Sequence, residues 1–134
     1  MPNATTTGLI ELNLVCLAVP DQEKSLDFYV GKLGFEKRTD EAFGNGYRWI
    51  EVYPPSGTAG IALAPPPEGT PASGGLNTGI TFTTDDVDAS HAALRQAGAD
   101  VDAEVTRMGG PVPPMFWMRD PDQNVLMVVE NMKG

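Results

Sequence analysis

One histidine, His91, and one cysteine, Cys16, are the only imidazole and thiol in 134 residues. Zinc, nickel and iron sites rely on these groups, with carboxylates assisting. A single chain therefore has no two-histidine centre to offer; only a two-fold dimer donating His91 twice would supply one. A lone cysteine also excludes an intrachain disulfide and fits a reducing compartment. Basic residues are scarce as well, 9 against 18 acidic ones, for a net charge of -9. That balance argues against gripping a phosphate backbone, so no nucleic-acid partner is expected. It suits an acidic solvated surface, or a preference for cationic and neutral ligands over anionic ones. The longest apolar run, Val125 to Val129, is far too short to cross a bilayer, so no membrane partner is expected either. The start, "MPNATTTGLIELN", carries no basic stretch followed by a long apolar core. A cytoplasmic location is the expectation.

What is present is a pattern that occurs twice. "ELNLVCLAVP" (11–20) alternates under a β-prone composition and reads as a strand ending at Pro20. In "DQEKSLDFYVGKL", Asp21 suits an N-cap and Gly34 lies just past the end. Leu26, Tyr29, Val30 and Leu33 fall on one helical face. Strands follow at 35–43, 47–53 and 60–64, separated by Gly44-Asn45-Gly46 and Pro54-Pro55-Ser56-Gly57. "PPPEGTPASGGL" (65–76) has the composition of a linker. Then the order restarts. A strand at 77–84 leads into a helix capped by Asp85 or Asp86 and closed by Gly98. Strands at 101–108, 115–120 and 124–130 complete the second set. The segment "GGPVPP" (109–114) reads equally well as a mobile lid or a rigid surface loop.

Three stretches, "VPDQEKSLDFYVGKLGFE" (19–36), "TTDDVDASHAALRQAGAD" (83–100) and "RDPDQNVLMVVE" (119–130), carry a resemblance. Together they are similar to the vicinal oxygen chelate superfamily of glyoxalases, bleomycin-resistance proteins and extradiol dioxygenases. The shared features are a D…S…FY…LGF helix, a D…A…L…G helix and a DPDGN-type turn, in that order. Gln123 departs from the glycine common in that turn, mildly if the turn is of type I. The resemblance implies an α+β fold: two βαβββ modules forming a cupped eight-stranded mixed sheet, with the helices outside. One domain would span 1–134, with modules at 9–64 and 77–132 joined by the linker 65–76. Family members usually dimerise, so a homodimer is the expected assembly.

Metal-dependent members hold their ion at one position on the first and one on the fourth strand of each module. Counting from the matched motifs places these at Leu14, Ala62, Gly79 and Met127. None of the four is a ligand for a divalent cation, and a one-residue slip at Gly79 or Ala62 does not supply one. No metal and no cofactor are expected. The remaining cavity candidates come from strand alternation. Trp49, Glu51 and Tyr53 share one face, a carboxylate between two aromatics suited to a cationic or planar ligand. Thr81 and Thr83 offer hydroxyls beside Gly79, or are ordinary strand residues. Cys16 shares the face of Leu14 and reads as a small buried hydrophobe. His91 reads as scaffold or rim on the second helix, while Arg48 and Arg119 flank the cavity strands, where they could meet an anionic group.

Three functions remain open. The first is a metal-free protein binding a small hydrophobic or cationic molecule, as in drug sequestration, through Leu14, Cys16, Trp49, Glu51, Tyr53, Ala62, Thr81, Thr83 and Met127. The second is a lyase, isomerase or dioxygenase, either metal-free with Glu51 as general base or with an atypical metal site. No other catalytic residue presents itself. The third is an interaction module whose cavity is filled by Met115, Phe116, Trp117, Met118 and Met127.

Overall fold

The computed structural model describes residues 7–42, 46–66 and 74–132. Two four-stranded sheets form, each from the same strand–helix–strand–strand–strand order. In the first, β1 (Leu14–Ala18), β2 (Glu36–Ala42), β3 (Arg48–Tyr53) and β4 (Gly60–Ala64) assemble in the order β1-β4-β3-β2. In the second, β5 (Asn77–Thr84), β6 (Asp100–Val101), β7 (Met115–Arg119) and β8 (Val125–Glu130) assemble as β5-β8-β7-β6. The outer strands β1 and β5 pair in parallel with β4 and β8, and the other pairs are antiparallel. The eight strands expected as one cupped sheet are thus hydrogen-bonded as two sheets of four.

Helix α1 (Gln22–Leu26) starts where Asp21 accepts the Lys24 amide at 3.1 Å. It widens into a π-helical turn over Asp27–Lys32, which buries the adjacent rings of Phe28 and Tyr29. Gly34, at φ +79°, ends it, as an achiral residue can. Helix α2 (Val87–Gln96) is capped by Asp86 rather than Asp85, through the Ala89 amide. It ends before Gly98, at φ +85°.

The core lies between the helices and one face of each sheet. Leu17, Val19, Ile50, Val52, Ile61 and Leu63 supply it from the first sheet, and Phe116, Met118, Leu126 and Val128 from the second. A polar clasp also joins the halves. Tyr29 donates its hydroxyl to Asp120 at 2.9 Å, across 91 positions of chain. Asp120 is itself buried, and also accepts from the amides of Asp122 and Asn124 and from the Asn124 side chain. A buried carboxylate is tolerable when it is this fully hydrogen-bonded. Burial and the Asp120 charge push the Tyr29 hydroxyl far above the usual phenol range, so it stays a donor.

Two strand expectations change. The first strand is Leu14–Ala18 rather than 11–20, because β4, the strand it pairs with, is five residues long. Residues 101–108 are not a continuous strand. After Val101 the chain leaves the sheet, and the Asp102 carboxylate takes the Trp117 amide at 3.0 Å. It returns only at Thr106, bridged to Met115, and folds into a hairpin over 106–115. At its tip Gly110, at φ +64°, precedes Pro111, the order a tight hairpin turn requires. Phe43, Gly44, Asn45 and most of the 65–76 linker lie outside the described residues.

Candidate ligand-binding face

Alternation along β3 sends Ile50 and Val52 into the core and leaves Trp49, Glu51 and Tyr53 on the opposite face. These three make one connected unit. Trp49 donates its indole N–H to Glu51 Oε2, and Tyr53 donates its hydroxyl to Glu51 Oε1, both at 2.7 Å. The Tyr53 hydroxyl is raised above the ordinary phenol range, first by its hydrogen bond to Glu51 and then by burial. Glu51 remains half-buried, with lone pairs still free on each oxygen. Trp49 is likewise half-buried, whereas only 8% of Tyr53 is exposed. The Tyr53 ring also carries the Arg38 guanidinium 4.5 Å from its centre. Of the two aromatics flanking Glu51, Trp49 is therefore the one presented outward.

The neighbours across the sheet define the rest of this face. Glu51 sits opposite Thr39 on β2 and Ala62 on β4, and Ala62 in turn sits opposite Cys16 on β1. Trp49 sits opposite Glu41, a second carboxylate beside the indole. Cys16 is exposed, not the buried hydrophobe expected, because its strand is the sheet edge and its side chain faces away from the helix. Ala62 is fully buried and Leu14 half-buried.

On the second sheet Thr81, Met127 and Trp117 form a row. Thr81 and Thr83 are exposed, Met127 and Trp117 half-buried. Gly79 does not lie in that row. It takes φ +74° within an irregularity that lets four residues of β5 pass two of β8. The proposed filling of one cavity by five side chains from 115 to 127 does not occur: Phe116 and Met118 belong to the core, while Trp117 and Met127 face away from it. A hollow of about 450 Å³ lies beneath the 106–115 hairpin, lined by Thr83, Pro111, Pro113 and Val129.

Leu14, Ala62, Gly79 and Met127 present two aliphatic side chains, a glycine and a thioether. Leu14 pairs with Gly60 rather than Ala62, and Met127 with Thr81 rather than Gly79. Among the described residues, no three His, Cys, Asp or Glu side chains gather as a metal site. A divalent cation does not fit this donor set. Both flanking arginines are engaged by carboxylates, Arg48 by Asp40 and Glu23, and Arg119 by Asp100 and Asp102. His91 bonds the Asp102 carbonyl at 2.7 Å and packs edge-to-face on Phe116, consistent with scaffold.

Paired βαβββ units, each with its sheet covered by helix on one side and open on the other, define a class of α+β proteins built around that open face. The chain belongs to the Glyoxalase/Bleomycin resistance protein/Dioxygenase superfamily, whose family model matches residues 11–128. A superfamily member from Sphaerobacter thermophilus DSM 20745 superposes with a TM-score of 0.82 at 34% identity, over 92% of this chain and 98% of that one. TnmS3, an antibiotic binding protein from Streptomyces sp. CB03234, gives 0.78 at 32% identity, over 93% and 98%. The Bacillus subtilis (strain 168) protein YurT is 28% identical, over 90% of this chain and 99% of its own length. Among the described residues, no helix is long and apolar enough to cross a membrane.

Proposed function

We propose that this protein is a metal-free binder of small planar or hydrophobic cations, held against the open face of the first sheet. One observation carries this reading: the Glu51 carboxylate is fixed between Trp49 and Tyr53 by two 2.7 Å hydrogen bonds and yet is not fully buried. Such a group meets a positive charge without first reorganising, and Trp49 offers the adjoining π-face. Glu41 and the net charge of -9 add favourable potential. Thr81, Thr83, Trp117 and Met127 supply a second, more apolar surface, and Leu14 and Cys16 complete the first, over the buried Ala62. Kinship with TnmS3, described as an antibiotic binding protein, supports sequestration over turnover. Both Glu51 oxygens already accept hydrogen bonds, an arrangement that suits a fixed counter-charge better than an abstracting base. A homodimer is part of this reading. The segment before β1 leaves Leu9 and Ile10 88% and 89% exposed and Leu12 73% exposed, apolar surface that a second copy would cover.

The test is elemental analysis of protein purified without chelators or a metal-bearing tag, followed by calorimetric titration with ethidium, a planar aromatic cation. The expected result is no stoichiometric metal and saturable binding that Glu51→Gln weakens at least about tenfold, in line with loss of a charge-assisted contact. Stoichiometric zinc, nickel, iron or manganese would sink the metal-free reading.

A further inference from the structure

The geometry points to Arg38 as the positioning residue of the Trp49–Glu51–Tyr53 unit, a role that rests on the ligand face proposed above. Its origin is a β-bulge. Lys37 sits opposite Val52 and Thr39 opposite Glu51, so Arg38 is the extra residue between them. A bulge re-aims the side chain it carries. Here it lays the guanidinium over the Tyr53 ring, 4.5 Å from the centroid.

That guanidinium is pinned in turn. Nη1 donates to the Gly57 carbonyl at 2.9 Å, and Nη2 to Pro54 and Pro55 at 3.2 and 3.0 Å. Nε donates to Glu36 at 3.1 Å. The Tyr53 ring also lies tight against Gly60, where an added Cβ would stand 2.7 and 2.8 Å from two ring carbons. The ring is thereby fixed by a cation over its face and by bare backbone beside it. Its hydroxyl then sets Glu51, and Glu51 sets Trp49.

Two consequences follow. A cation on one face of Tyr53 opposes a second cation on that ring, so a ligand's positive charge is directed to Glu51 and Trp49. Lysine cannot replace arginine here, because a single ammonium cannot cover a ring face and reach three carbonyls at once.

The experiment uses the full chain with Trp117→Phe, which leaves Trp49 as the only tryptophan. Arg38→Met, Arg38→Lys and Glu51→Gln are made in that background, with Arg95→Met as an unrelated surface arginine. Ethidium affinity is read by calorimetry, Trp49 emission without ligand by fluorescence, and folding by thermal melts. Expected is a loss of affinity of at least about fivefold in both Arg38 variants, with Trp49 emission shifted to longer wavelength as in Glu51→Gln. Arg95→Met should change neither. Affinity and emission equal to the Trp117→Phe parent in Arg38→Lys, or affinity within about twofold of that parent in Arg38→Met, would overturn the assignment. If one Arg38 variant does not fold, the other decides. Failure of the unsubstituted chain to bind ethidium would count against the proposed function alone. Trp49 emission would then still decide Arg38: a shift shared by Arg38→Met and Glu51→Gln supports it, and an unshifted spectrum in Arg38→Met refutes it.

Discussion

Gln123 is the non-glycine residue in the left-handed region among the described residues, at φ +66°, inside the turn that positions Asp120 and Asn124. From the sequence its departure from glycine looks mild, on the premise of a type I turn. The backbone shows otherwise, since this conformation costs a side chain roughly 1 kcal/mol. Gln123→Gly should therefore stabilise the protein by up to about 1 kcal/mol, visible as a raised urea midpoint at unchanged slope. A lowered midpoint would mean that Gln123 makes contacts worth more than the strain.

Asp122 in the same turn gives a pH-dependent prediction. Burial, then the Asp120 charge, raises its carboxyl above the ordinary range. An acid with a raised folded value stabilises the fold fully below its unfolded value of about 3.9. That contribution is lost as pH rises through the folded value. Asp122→Asn should thus raise the melting temperature at about pH 7 and lose that gain toward about pH 3.5. An equal gain at both pH values would show that the carboxyl charge is not the cause.

At the scale of elements, glycines separate strain from space. Gly34 closes the first helix at φ +79°, and a Cβ added there would meet nothing within 4 Å, so Gly34→Ala should cost only about 1 kcal/mol. Gly60 opens β4 where a Cβ would stand 2.6 Å from the Val52 carbonyl and against the Tyr53 ring. Backbone cannot yield as a flexible side chain can. Gly60→Ala should cost about 3 kcal/mol or leave the chain unfolded, and should disturb Trp49 emission where Gly34→Ala does not. Denaturant melts of both variants check the order, which a larger loss in Gly34→Ala would reverse. Gly34 was legible as a helix terminator. The demand at Gly60 was not, because it depends on the Tyr53 ring, which lies alongside only once β3 and β4 pair.

For the whole molecule, the charge imbalance sets the long-range field. Ethidium affinity should fall steadily from about 50 to about 500 mM salt, as screening shortens the reach of the acidic surface. Affinity independent of salt would move the binding energy to apolar contact alone, toward Trp117 and Met127.

Composition and periodicity alone settled a good deal. One histidine and one cysteine are too few donors for a histidine-rich metal centre within a single chain. The repeated strand–helix–strand order, with its caps at Asp21 and Gly34, gave two units of like topology, because caps and hydrophobic period are local properties. Alternation put Trp49, Glu51 and Tyr53 on one face for the same reason. Local rules could not say that Asp102 would capture the Trp117 amide and end β6 early, nor that Cys16 would be left exposed at a sheet edge. Nor could they pair Tyr29 with Asp120 or bring the bulged Arg38 onto Tyr53 and the 54–57 carbonyls. Each of these depends on which strands become neighbours and in what register, and that is fixed only when distant segments share one core.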